Sequence, residues 1–441
     1  MNKSMKNVKA NWENLPTLCL FLVLDKLDVP SNLVRFGAVC KYWHSVFNNF
    51  LDLKRGSSLN LVPMLLIPRK SNRVRQLYSL QVETKIYNIV LPMSHNKRIC
   101  GSSYGWLAAV DKNMVITLLN PFKDGITINL PKIEVGPDQN TAAYQYEVHK
   151  VILSTDPLLH PDGYVVVVIY SFRRRIAFYK SKQKSWTYLD KNLTAFTDVI
   201  FYKNLAYAIG TRSLTISFDV NSFDDSLKSP RVKILMSTHK RLEDYFARVY
   251  LVESSKGDLF SIKRIVGVKD NHYSTHFTES FKVFKLILDD QSGELLEEKE
   301  VKNIHEDVVF AGYNQTLAVS ILDFPEGKPN SIYFTDDCFI ATGYWPTGSQ
   351  LDNGFFNMKD GNMGIYYQFN PLKLEHVPSF SKLEALKMLD IRGTYTKDLP
   401  HGMKKLGKVV SLEGFHPSPL KAGPCRFSLP SDSFSSFGFS I

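Results

Sequence analysis

The chain has 441 residues, enough for one large domain and a small module beside it. Hydrophobic residues make up 44% and charged residues 22%, the balance of a globular protein, which excludes a disordered or fibrous chain. The net charge is +11 with acids interspersed throughout, and the five cysteines are scattered with no C-x-x-C pair, so no zinc site or disulfide framework is implied. The first patterned stretch runs from Trp12 to Phe50 and reads as three short helices. Leu18 to Leu24 is apolar at every position, so this helix has no polar face and must be covered on all sides. Pro16 suits a first helical turn, where its missing N–H would be unpaired anyway. Asp28, Pro30, Ser31 and Asn32 form a break, after which Leu33, Phe36, Cys40, Trp43 and Phe47 recur at helical spacing. A unit of roughly 40 residues has little interior of its own. Its surplus apolar surface belongs against the rest of the chain or against another protein.

Leu15-Pro16, the apolar helix, Leu27, Leu33-Val34-Arg35-Phe36, Val39-Cys40-Lys41 and Trp43 together resemble an F-box. The resemblance implies docking on the Skp-type adaptor of cullin–RING ubiquitin ligases. The adaptor-binding residues it implies are Leu15, Pro16, Leu20, Leu24, Leu27, Leu33, Val34, Phe36, Val39, Cys40 and Trp43. Leu18, Cys19 and Asn32 depart from the residues usual in that family. Lys3, Lys6 and Lys9 ahead of the apolar helix imitate a signal peptide, but Glu13 and Pro16 interrupt it and no small-residue cleavage site follows. A reducing compartment, cytoplasmic or nuclear, is therefore expected, and the sequons at Asn192 and Asn314 carry no meaning there. No apolar run approaches the ~20 residues of a membrane span.

Beyond Phe50 strand candidates follow one another at regular intervals, from Leu59–Ile67 through Gly105–Val110, Tyr164–Tyr170, Leu205–Ile209 and Leu259–Val266 to Gly364–Phe369. They group in fours at a period of roughly 50 residues. The spacing predicts a β-propeller of about six blades, with Leu59–Ile67 completing the last blade; a pair of β-sandwiches is the alternative. The chain is thus mainly β with a small α module. Leu383–Asp390 reads as a short helix, and 400–441, rich in Gly, Ser, Pro and Lys, reads as disordered.

Few residues suggest chemistry. Gly101-Ser102-Ser103-Tyr104-Gly105 satisfies G-x-S-x-G, but a nucleophile elbow needs a helix after the turn and Trp106–Val110 reads as a strand. The glycines then serve a tight turn. Asp336 and Asp337 are adjacent and would point to opposite faces of a strand. His149, His239 and His305 belong to no H-E-x-x-H or His/Cys cluster. Trp106, Trp186 and Trp345 suit packing between blades better than a ligand face. The basic groups Arg69-Lys70, Arg73, Arg75 and Arg173-Arg174-Arg175 with Lys180, Lys182 and Lys184 read as solvated surface. No cofactor or metal is expected.

The motifs Cys100-Gly101-Ser102-Ser103-Tyr104-Gly105-Trp106-Leu107, Leu119-Asn120-Pro121-Phe122, Lys150-Val151-Ile152-Leu153-Ser154, Phe196-Thr197-Asp198-Val199-Ile200 and Ile332-Tyr333-Phe334-Thr335-Asp336-Asp337 occur in that order. In this they resemble the plant family in which an F-box precedes a kelch-like domain of the KIB type. The resemblance implies a substrate receptor of an SCF-type ubiquitin ligase, with Skp, cullin and RING partners and a protein target. The expected division is a flexible 1–11, an F-box at 12–51, a propeller at 57–372 and an extension at 373–441. The connections 134–147, 221–230, 268–279 and 325–330 are the candidate target-binding loops, with Tyr144, Tyr146 and Tyr273 as aromatic anchors. Two other classes remain: a propeller enzyme using Asp336, Asp337, Glu253 or Ser102-Ser103, and a nucleic-acid-binding regulator using the basic groups.

Overall fold

The computed structural model describes residues 15–27, 36–37, 39–53, 64–67, 74–79, 86–91, 93, 97–121, 123, 125–135, 147–210, 214–221, 230–236, 248–268, 276–312, 314–335, 352–364 and 387–389. All of these fall in one compact unit.

The α module contains α1 (Thr17–Asp25) and α2 (Lys41–Leu53). The expected continuous helix through Phe36, Cys40 and Trp43 is interrupted: Phe36 and Gly37 are helical, Val39 bends and Cys40 is irregular. Cys40 starts the second piece itself, its Sγ accepting the Trp43 N–H at 3.4 Å. Leu20, Leu24, Phe36, Val46, Phe47 and Phe50 form a small buried core. The Tyr42 hydroxyl donates to the Leu15 carbonyl at 3.1 Å and ties α2 to the start of α1.

The rest of the described residues form six antiparallel-rich sheets. The first contains β1 (Met64–Ile67), β2 (Val74–Ser79) and β3 (Ile86–Val90). The second has β4 (Arg98–Ser103), β5 (Trp106–Val110), β6 (Val115–Asn120) and β7 (Ile126–Lys132). The third has β8 (Val148–Leu153), β9 (Val165–Tyr170), β10 (Arg175–Lys180) and β11 (Thr187–Tyr188). The fourth has β12 (Phe196–Tyr202), β13 (Leu205–Gly210), β14 (Leu214–Phe218) and β15 (Val232–Met236). The fifth has β16 (Arg248–Glu253), β17 (Leu259–Val268), β18 (His276–Leu288) and β19 (Leu295–Val301). The sixth has β20 (Asp307–Ala311), β21 (Thr316–Ser320), β22 (Ser331–Phe334), β23 (Gly354–Asn357) and β24 (Met363–Gly364), in the order β21-β20-β22-β23-β24 with β20 parallel to β22.

A last strand, β25 (Lys387–Leu389), joins the first sheet beside β1. Three expectations change here. Lys387–Leu389 is strand rather than helix, β1 belongs to the first sheet rather than completing the last, and the sheet system draws on residues beyond 372.

Strands buried on both faces explain why the apolar runs lack alternation. In β9, Val166, Val168 and Tyr170 enter the core between the second and third sheets, while Val165, Val167 and Ile169 enter the core between the third and fourth. Two further cores lie between the fourth and fifth sheets and between the fifth and sixth. Polar handles of buried aromatics cross these junctions: Trp106 Nε1 donates to Asp156 at 2.8 Å, Trp186 Nε1 to the Pro131 carbonyl at 2.8 Å, and the Tyr202 hydroxyl to the Gly257 carbonyl at 2.7 Å. Trp106 and Trp186 therefore pack between blades. These cross-sheet bonds link residues 50 and 55 apart, the period read from the sequence. Gly101 permits the close approach of β4 to β8, since a Cβ there would meet the Val151 carbonyl oxygen at 2.1 Å.

Candidate functional site

Two places offer themselves: the outside of the α module, and the end of the sheet system where the first strands of successive sheets begin.

On the α module, Leu20 and Leu24 lie one turn apart and fill its core, together with Phe36. Leu15, Leu27 and Trp43 are partly buried against that core. Of the residues expected to meet an adaptor, Pro16 and Val39 are exposed and Cys40 is half-buried; Leu33 and Val34 lie outside the described residues. The apolar surface that faces water is largely a different set. Leu18 is 74% exposed, Leu22 65%, Val39 59%, Val23 43% and Tyr42 39%. The signal for it was the unbroken apolar run 18–24: Leu20, Phe21 and Leu24 take the inner side of the helix, so the rest of the run is left facing out. Side chains of this size exposed on one small module offer apolar surface of the kind found at protein interfaces.

At the strand ends, Asp198 is buried and joins four sheets. Its carboxylate accepts the Lys150 ammonium of β8, the Leu251 N–H of β16 at 2.9 Å and the Thr316 hydroxyl of β21 at 3.4 Å, besides the Val199 N–H at 2.6 Å. Thr197 Oγ1 donates to the Val249 carbonyl at 2.9 Å. Beside this hub a small cleft is lined by His149, Lys150, Arg174, Asp198, Arg248 and Tyr250, among others. His149 Nε2 lies 2.9 Å from the Ser171 carbonyl. Lost hydration, then the positive charge of Arg174, Arg98 and Arg248, hold the His149 imidazole well below its ordinary pKa, against the pull of that carbonyl. Burial raises the neighbouring Glu147 carboxyl, which accepts the Phe172 N–H. Sequence reasoning missed this centre because its members are about 50 residues apart and each is unremarkable alone.

The other candidates separate. Tyr104 and Gly105 have φ of 52° and 77° and make the tight turn between β4 and β5, so G-x-S-x-G sits on strand–turn–strand. Ser103 Oγ accepts the Leu153 N–H at 3.4 Å, and both serines are buried. Glu253 is exposed at the opposite end of β16. Tyr144, Tyr146, Tyr273, Asp336, Asp337, His239 and Trp345 lie outside the described residues. Among the described residues no group of three or more His, Cys, Asp or Glu is placed to hold a metal.

The sequence from residue 77 to 367 matches the family described as KIB1-4 beta-propeller, and residues 12–55 match the F-box domain. The chain belongs to the KIB1-4 beta-propeller family. Within it the chain is a plant-type F-box protein with a KIB-type propeller. It is similar to the F-box protein SKIP23 of Arabidopsis thaliana, with 22% identity over 85% of this chain and 94% of that one. A putative F-box protein of the same plant is 25% identical over 74% of this chain and 86% of its own. The Asp198 hub lies inside the KIB1-4 region, and the exposed leucines lie inside the F-box.

Proposed function

We propose that this protein is the target-recruiting subunit of an SCF-type ubiquitin ligase, docking on a Skp-type adaptor through the F-box and on a target protein through the propeller. The observation that carries the reading is the exposed apolar face of the α module, on a domain that matches the F-box. A face holding Leu18, Leu22, Val23, Val39 and Tyr42 gains by burial what water makes unfavourable. The adaptor would bring cullin and RING subunits, and the ligase's chemistry would belong to those subunits. Cys19, Cys40 and Cys100 are in no disulfide among the described residues, which suits a cytoplasmic or nuclear setting.

The test is co-purification with a Skp-type adaptor. Replacing Leu18 and Leu22 together with Glu removes two side chains worth about 1.5–3 kcal/mol each when buried. Binding should fall by a factor of about 100 or more. Thermal stability should hardly change, because both side chains already face water. Wild-type affinity in the double variant, or no adaptor binding by the wild type, would overturn the reading.

A further inference from the structure

We infer that, with the F-box docking on a Skp-type adaptor as proposed, Tyr42 is a positioning residue for that contact. Its hydroxyl ties up the polar groups at the start of α1, so the apolar surface around Leu18 is buried without stranding a donor or acceptor.

The polar groups form a chain of two hydrogen bonds. The Tyr42 hydroxyl donates to the Leu15 carbonyl at 3.1 Å. Tyr42 Oη and Thr17 Oγ1 lie 3.0 Å apart. A phenol has one proton to give, and here the carbonyl takes it. The Thr17 hydroxyl is therefore the donor in the second contact and Tyr42 Oη its acceptor. One side chain of α2 thus satisfies two groups at the head of α1, 27 and 25 residues away in sequence.

The location is what gives this chain its use. Thr17 is the first residue of α1, and Pro16 before it supplies no side-chain cap. The Leu20 N–H takes the Pro16 carbonyl at 3.1 Å, and the Leu15 carbonyl, one residue earlier, is met by Tyr42. Leu18 follows Thr17 directly, Leu22 lies one turn on, and both are exposed. The Tyr42 ring is exposed beside them and adds apolar area of its own. Its direction is set within α2: the Trp43 N–H is held by Cys40 Sγ at 3.4 Å, and the His44 N–H donates to the Cys40 carbonyl at 2.9 Å.

The hydroxyl matters in the complex rather than in the free protein. Both of its bonds lie at exposed positions, where water replaces a lost partner at little net cost. A covering partner expels that water. A carbonyl or hydroxyl then left without a partner carries its full desolvation penalty. Apolar contact alone does not distinguish tyrosine from phenylalanine at this position; the stranded groups do.

The experiment measures affinity of the full-length protein for a purified Skp-type adaptor by biolayer interferometry, with melting curves of each variant alone. Tyr42→Phe should bind about tenfold or more weakly. Its melting temperature should stay within about 2 °C of wild type. Thr17→Val should weaken binding less, because Tyr42 still meets the Leu15 carbonyl. The double variant Tyr42→Phe with Thr17→Val should bind more tightly than Tyr42→Phe, since the stranded hydroxyl is gone. Wild-type affinity in Tyr42→Phe, while Leu18→Glu with Leu22→Glu loses binding, overturns the role of Tyr42 and leaves the adaptor reading standing. A double variant no tighter than Tyr42→Phe also overturns it. So does a large fall in the melting temperature of Tyr42→Phe, which would make the hydroxyl a folding contact. No adaptor binding by the wild type overturns both readings.

Discussion

Replacing Asp198 with Ala tests how much of the propeller hangs on one buried carboxylate. The substitution strands the Lys150 ammonium in a site where its side chain is only 5% exposed. Removing one partner of a buried ion pair costs about 3–5 kcal/mol, because the remaining charge is uncompensated. It also leaves the Leu251 N–H without its acceptor, and a buried unpaired donor costs about 1–3 kcal/mol. These losses share one cavity and do not simply add. A loss of about 4 kcal/mol is the central expectation. With about 2.1 cal/mol/K of unfolding entropy per residue, that is a fall of about 6 °C in melting temperature for a domain this long. The assay is thermal unfolding followed by near-ultraviolet circular dichroism. The double variant Asp198→Leu with Lys150→Met replaces the pair by apolar side chains and should recover much of the loss. An Asp198→Ala variant that melts within about 2 °C of wild type would refute the hub. So would a double variant no more stable than Asp198→Ala.

Other outcomes follow from the same geometry. Gly101→Ala should destabilise the protein by about 1–3 kcal/mol or more, since its methyl group would meet Val151 backbone; unchanged urea unfolding would contradict the close packing of β4 on β8. Trp106→Phe should cost about 1–3 kcal/mol by leaving Asp156 without the indole donor, measured the same way. His149 stays neutral in the fold below the pKa it has unfolded, so its contribution is full above pH ~6.5 and is lost as pH falls. Stability should then drop by up to about 1.4 kcal/mol per pH unit, and His149→Gln should flatten the slope. Glu147 acts in the opposite sense, because its folded pKa is raised and its contribution is lost as pH rises through that value; making the comparison in a Glu147→Gln background isolates the histidine. A chain ending after Pro371 lacks β25 and should melt lower than one ending after Arg392; equal melting would show that β25 contributes nothing to the first sheet.

Much of the architecture was legible because inner strands announce themselves. Val165–Tyr170 is apolar throughout since both faces meet a neighbouring sheet, and the period of about 50 residues returns as the sequence separation of the cross-sheet bonds. β4 was not legible: its sequence Arg-Ile-Cys-Gly-Ser-Ser has little strand propensity, and tertiary contact with β8 decides it. The three residues of β25 owe their conformation to β1, more than 300 positions away, so no local pattern marks them. In the α module, the apolar stretch 18–24 foretold surplus surface. Assigning each leucine to inside or outside required knowing that Leu20 and Leu24 face the core. The Asp198 centre was the least visible, because an ion pair between residues 48 apart leaves no motif.

The pairing of β25 with β1 has a consequence for synthesis. β1 leaves the ribosome among the first strands, while the partner for one of its edges is encoded about 320 residues later. At elongation rates of about 5–20 residues per second, that edge waits roughly 15–65 seconds with its N–H and C=O groups unpaired. Throughout that interval the nascent chain carries an open sheet edge. Occupancy by chaperones in the cell should therefore be governed by the arrival of Lys387–Leu389, and substitutions that spoil this short strand should act first on yield during translation.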